Sequence, residues 1–226
     1  MALILNIETS GKNCSVAIAE YENVLVLKEV QSEQFVHAEQ LHVLISQVFQ
    51  EAKLSPSDIN CIAISEGPGS YTGLRIGLAS VKGLAYTLGV PIVAVSSLKV
   101  LANAARKLNS SKFLVPMMDA RRMEVYTAIY SQELTEIVST APVIVDDLFL
   151  NDYDGQEMVV FGDGAEKCLA HVKNAKFLQG VFASAKFMAE ISADLYKKKD
   201  FVDLAYFEPN YLKEFQAGKP KNMFSK

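Results

Sequence analysis

KFLVPMMD, residues Lys112 to Asp119, repeats in kind LILNIE, residues Leu3 to Glu8: a mostly apolar run that closes on a carboxylate. The segments downstream of the two runs are also alike. After Glu8, Ser15 to Glu20 and Val24 to Val30 read as strands joined by the polar turn Tyr21-Glu22-Asn23, which makes a three-strand meander. After Asp119, Glu124 to Tyr130 and Leu134 to Val138 complete a second one. The first meander leads into an amphipathic helix, Phe35 to Lys53, where Ala38, Leu41, Ile45, Val48 and Ala52 recur at spacings of three and four beside Leu44 and Phe49. Ser55-Pro56 stops it. A strand from Cys61 to Ser65, the loop GPGSYTG (Gly67 to Gly73) and a helix from Leu74 to Leu88 come next. Gly89-Val90-Pro91 breaks that helix, Ile92 to Val95 is a strand, and Ser97 is placed to cap a third helix running to about Lys107.

The second half repeats the plan more tersely. Asp146 to Leu150 is a short helical turn, and Met158 to Phe161 is a strand entering Gly162-Asp163-Gly164, in the place that Gly67 holds in the first half. A helix from Ser184 to Lys199 and an irregular tail close the chain. Two βββαβα halves with little residue identity predict an α/β protein of the actin-like, ribonuclease-H-like class with duplicated lobes. The lobes are expected at residues 1–110 and, smaller, 111–226, meeting at the polar joint Asn109-Ser110-Ser111.

Composition sets outer limits. The 226 residues are 50% hydrophobic and 21% charged, a globular composition rather than a disordered one. A net charge of −4 argues against a free-standing nucleic-acid binder, which usually shows a basic face. Cys14, Cys61 and Cys168 are odd in number, far apart and without CxxC spacing, so they fit reduced thiols of a cytoplasmic protein. The opening MALILNIETS is broken by Asn6 and Glu8 and reads as neither signal peptide nor membrane span.

Few residues offer chemistry. Glu8 and Asp119, ending the two first strands, form a candidate carboxylate pair across the cleft between lobes. The turns Thr9-Ser10-Gly11 and Ala120-Arg121-Arg122 lie where phosphate-binding turns would lie, and a metal between them would make an ATP site. Alternatively, each acid hydrogen-bonds its own tight turn. The Gly67 to Gly73 loop could cradle an anion at a helix N-terminus through Gly67 and Gly69. It could equally be a stiff turn that brings a helix close to its sheet, since it is neither a Walker A loop nor a GxGxxG fingerprint. His37 and His42 stand five apart, which spoils a two-ligand face on a helix; both are expected to be partly buried. Lys197-Lys198-Lys199 and Lys219-Pro220-Lys221 read as a solvated helix end and tail. The Leu74 to Leu88 helix is small or apolar almost all round, with only Arg75 and Lys82 as a charged edge, so it is deeply buried or shared with a partner.

ILNIETS, CSVAIA, SEGPGSYTGLRIGLASVKGLAYTLGVPIVAVSSLKVLA and DARRMEVYTAIY together resemble the TsaB family, bacterial partner proteins for threonylcarbamoyladenosine modification of tRNA. The resemblance covers the first 130 residues, with weaker echoes at Gly162-Asp163-Gly164 and Pro209-Asn210-Tyr211-Leu212. It implies an actin-like fold and a non-catalytic subunit. That subunit binds and activates a homologous metalloenzyme, which transfers threonylcarbamoyl to adenosine 37 of ANN-decoding tRNAs. The metalloenzyme's two metal-binding histidines, four apart, correspond to Ser97 and Leu101, so the resemblance implies no metal and no cofactor here. Glu8 replaces the family's usual Asp, which weakens a nucleotide site built on Glu8, Thr9, Ser10, Gly67, Gly69 and Asp119 to a vestigial one.

The resemblance further implies that the two first-lobe helices form the partner surface, with Leu41, Leu44, Ile45, Leu74, Arg75, Leu78, Val81 and Lys82 as contact candidates. An additional ATPase subunit and a homodimer formed in the partner's absence are also implied, with tRNA reached only indirectly and no membrane contact. The competing expectation is an actin-like small-molecule kinase or ATPase with its own nucleotide site.

Overall fold

A computed structural model of the chain describes residues 2–32 and 36–213. The expected helix start at Phe35 and the Lys219-Pro220-Lys221 segment lie outside the described residues. Among the described residues, ten strands form two five-stranded sheets. The first holds β1 (Leu3–Glu8), β2 (Asn13–Glu20), β3 (Asn23–Gln31), β4 (Cys61–Gly67) and β5 (Ile92–Ser96), in the order β3-β2-β1-β4-β5. β1 pairs antiparallel with β2 and parallel with β4, in the registers Ile7↔Val16 and Ile7↔Ile64.

The second sheet holds β6 (Phe113–Asp119), β7 (Glu124–Ser131), β8 (Glu136–Ile144), β9 (Met158–Phe161) and β10 (Lys176–Leu178), in the order β10-β9-β6-β7-β8. Each strand occupies the position of its counterpart in the first sheet, and β6 again pairs antiparallel with β7 and parallel with β9. The fold is therefore α/β with the actin-like, ribonuclease-H-like topology present twice. The second copy is pared down: between β8 and β9 it has only turns and a 3-10 segment, Asn151–Tyr153, where the first copy has a full helix.

The apolar runs are strands buried on both faces, which is why they read as near-continuous rather than alternating. Leu3, Leu5 and Ile7 of β1 pack with Leu41, Leu44, Ile45 and Val48 of α1 (His37–Ala52) and with Val81 and Ala85 of α2 (Tyr71–Leu88). Ile4 points the other way, into a core shared by both sheets. That central core holds Leu98 and Leu101 of α3 (Ser97–Arg106) together with Met188 and Ile191 of α4 (Ala185–Lys198). The two helices are exchanged in space: α3 follows the first sheet in sequence yet packs on β6 and β7, while α4 follows the second sheet and lies across β1, β2 and β5. Ser192 Oγ of α4 donates to buried Asn6 Oδ1 at 2.6 Å, and Ser15 Oγ accepts from Ala185 N at 2.8 Å.

Three boundaries differ from expectation for local reasons. α2 begins a turn early because Ser70 caps it, its Oγ accepting from Gly73 N at 3.2 Å. α3 is capped by Ser96 rather than Ser97, which is the first helical residue and is buried. β8 runs six residues past Val138 because it pairs with β7 as far as Ile144↔Glu124. Beyond α4 the chain returns to the first lobe: Val202 bridges Ile92, Lys82 Nζ donates to Ala205 O at 3.0 Å, and Asn210 N donates to Glu66 O at 2.7 Å. No described helix is long and apolar enough to cross a membrane.

Candidate functional site

The two first strands end in matching turns. Glu8 Oε1 accepts from Ser10 N at 2.6 Å, and Asp119 Oδ1 accepts from Arg121 N at 3.0 Å, so each acid closes its own turn. A glycine presses onto each strand end. A Cβ at Gly69 would sit 2.3 Å from Ser10 O, and one at Gly162 would sit 2.4 Å from Met117 O, so neither position has room for any other residue. Ser70 N then donates to Ser10 O at 2.7 Å, and Gly164 N to Met117 O at 2.9 Å. Of the two uses open to the Gly67 to Gly73 loop, the close-packing turn is the one built here.

Sealing the first turn alters its electrostatics. Glu8 and Thr9 are fully buried and Ser10 is 1% exposed. Burial pushes the Glu8 carboxyl up, against the pull of hydrogen bonds from Ser10, Ser65 and Thr9. Its Oε2 has no partner among the described residues, nor do Thr9 Oγ1 and Ser10 Oγ. Asp119 by contrast is exposed and ion-paired with Lys167, whose Nζ also donates to Glu124 O at 2.7 Å. Burial raises Asp163 beside it, and the charge of Asp119 raises it further. The expected nucleotide cleft is thus not an open one. Glu8, Thr9 and Ser10 are packed shut, Gly69 presses on Ser10, Gly67 is covered by Asn210, whose O would lie 3.0 Å from an added Cβ, and Asp119 holds Lys167 instead of facing a shared ligand with Glu8.

The partner-face candidates divide by burial. Leu41, Leu44, Ile45, Leu74, Leu78 and Val81, whose facing the sequence left open, all lie inside, at 0 to 8% exposure. The reason is that the sheet beneath needs the whole apolar arc of both helices. Arg75 is exposed and Lys82 half-buried at the rim. The outward side, which the sequence reading did not single out, carries Val43 at 46% and Tyr86 at 81% exposure, with Ala79 and Gly83 between the helix ends. His42 belongs to this outer side and meets Ser80 Oγ at 3.3 Å; His37 alone of the pair is buried. A break in the small-residue pattern at Tyr86 was the signal that could have found this face.

The tail adds a cluster that was also unread. Arg75 Nε donates to Tyr211 OH at 3.1 Å, its guanidinium lies 4.4 Å from the Tyr71 ring centre, and the Tyr71 and Tyr211 rings are 4.9 Å apart. Tyr211, which in the sequence is only part of an echo, therefore braces the start of α2.

A family model described as TsaD, tRNA N6-adenosine threonylcarbamoyltransferase, matches residues 26–162. The tRNA threonylcarbamoyladenosine biosynthesis protein TsaB of Bacillus subtilis is 29% identical over 221 residues, 95% of each chain. Its namesake from Escherichia coli is 29% identical over 228 residues, 96% of each. Among solved structures, YeaZ from Pseudomonas aeruginosa matches with a TM-score of 0.84 at 25% identity, over 94% of this chain and 100% of that one. With the family model spanning more than half of the chain and the relatives nearly all of it, the chain belongs to the TsaD family and, within it, to the TsaB group.

Proposed function

We propose that this protein is a non-catalytic subunit that binds and activates a homologous metalloenzyme, the one that transfers threonylcarbamoyl to adenosine 37 of ANN-decoding tRNAs. The observation that carries this reading is the outer face of α1 and α2. Ala79 and Gly83 let another helix approach closely, while Val43 and the 81%-exposed Tyr86 offer apolar area that none of the described residues covers. Arg75 and Lys82 supply a positive rim. The positions matching the metalloenzyme's histidines support the division of labour: Leu101 has no donor atom, and Ser97 is buried in the helix start. An added ATPase subunit, self-association through the same face and indirect contact with tRNA belong to this reading.

Gly83→Glu tests it. A Cβ at Gly83 meets nothing within 4 Å, so the variant folds, and replacing an exposed helical glycine stabilises the monomer by up to about 1 kcal/mol. The expected result is loss of co-elution with the metalloenzyme homologue of the same organism alongside an equal or higher melting temperature. Retained co-elution at wild-type stoichiometry by both Gly83→Glu and Tyr86→Ala sinks the reading.

A further inference from the structure

A cavity of about 270 Å³ opens between the two sheets. Its floor is the carboxyl end of β4 and β5 with the first turn of α3, contributed by Glu66, Pro68, Ser96 and Lys99. Its other walls come from the β7–β8 hairpin and from Asn210 of the returning tail. The outer ends of parallel strands at a point where connections leave to either side are a recurrent ligand position in open α/β sheets. The volume falls below that of drug-sized sites, about 300–1,000 Å³, and suits a molecule of a few heavy atoms.

Most polar groups of this lining fall into two sets. The first is hydrogen-bonded internally, with the charge of Glu136 exposed to solvent. Glu136 Oε1 accepts from Thr140 N at 2.7 Å and from Thr140 Oγ1 at 2.8 Å, and the Tyr130 hydroxyl is hydrogen-bonded to Ser96 and Thr140. The second set is Glu66 and Lys99, both half-buried, of opposite sign, on the same cavity, and neither side chain paired with the other nor with any described residue. Half-buried charges are normally compensated, because the interior penalises a lone one of either sign. Here the Glu66 side faces a second negative charge, Asp200, rather than a cation. The Lys99 side stands at the N-terminal turn of a ten-residue helix, where the backbone also favours an anion.

We infer that this cavity binds a small zwitterion of the α-amino-acid type, its carboxylate held by Lys99 and its ammonium by Glu66. A ligand with both charges satisfies both groups at once, whereas a simple anion leaves Glu66 uncompensated and a simple cation leaves Lys99 so. The satisfied hydroxyls of Ser96, Tyr130 and Thr140 line the space between. The test of this site does not depend on any partner.

Isothermal titration of the full chain decides the matter, with glycine, L-alanine and L-serine as zwitterions, acetate as a lone anion and methylammonium as a lone cation. Zwitterions are expected to bind more tightly than either lone ion. Lys99→Met and Glu66→Gln should each weaken them by about tenfold or more, the scale of one charge-assisted contact. Acetate should lose heat only in Lys99→Met, and methylammonium only in Glu66→Gln. Both variants keep the shape of the side chain, and an unchanged melting transition confirms that they fold. No heat with any zwitterion, acetate binding as tightly as glycine, or glycine affinity unmoved by both substitutions overturns the proposal.

Discussion

Glu8 has one carboxylate oxygen bonded to the Ser10 amide and the other enclosed without a partner among the described residues, so its ionised form is disfavoured in the fold. A raised value means that the folded chain holds the proton more firmly than the unfolded one. The contribution of this group to stability is then full below the ordinary glutamate value, about 4.3, and is lost as the pH rises through the raised one. Glu66 and Asp163 act with the same sign, both pushed up by burial. Glu8→Gln keeps an acceptor oxygen for Ser10 N and removes the ionisation. The variant should melt higher than wild type at neutral pH and show a flatter melting temperature as the pH rises above the ordinary glutamate value. Parallel pH profiles for the two proteins contradict the buried-carboxyl account. The sequence showed Glu8 closing its own turn as one of two options. Its charge state was not legible, because the seal comes from Gly69 and Ser70, some sixty residues along the chain.

At the scale of elements, helical periodicity told which residues share a side but not which side meets the sheet. In α2 the glycine side and the leucine side both turn inward: Gly73, Leu74, Gly77, Leu78, Val81 and Ala85 are all buried. The sheet takes a wider arc than one stripe, and the outer face is left to residues such as Val43, Ala79, Gly83 and Tyr86. In α1 the same division separates Leu41, at 0% exposure, from Val43, at 46%. Leu41→Ala should therefore cost about 2–5 kcal/mol, read as a lower urea midpoint at unchanged slope. Val43→Ala should stay within about 0.5 kcal/mol. Equal effects from the two substitutions show that α1 does not rest on the sheet as described. For the same reason a glutamate at Leu74 or Leu78 unfolds the helix's own seat before it tests any partner.

For the whole molecule, the duplication was readable because each apolar strand ends on an acid at the same topological place. Two things were not. β10 is three residues long with two of them exposed, too short and too wet to leave a pattern. The exchange of α3 and α4 leaves no local trace at all, since a helix's stripe is the same whichever sheet it covers. That exchange ties the lobes together through one core, from Ile4 and Val93 to Phe161 and Met188. Unfolding should pass through a single transition, with far-ultraviolet dichroism and tyrosine fluorescence superimposing across a urea titration. A fragment ending at residue 110 should give no cooperative transition, because it lacks the helix that covers one face of its sheet. Two separated transitions, or a cooperatively folding fragment, contradict the shared core.

The placement of α4 also sets a timetable for synthesis. During synthesis the strand Leu3–Glu8 waits for Met188, Ile191 and Ser192 before one of its faces is covered and Asn6 finds its bond. Throughout that interval the nascent chain displays Ile4, Ala63 and Val93 on a bare sheet surface. The long sequence separation delays the contact that completes the first lobe. Holding factors that mask apolar surface act on this chain mainly in that window, and ribosome stalling before residue 185 leaves a half-built, adhesive sheet rather than a finished lobe.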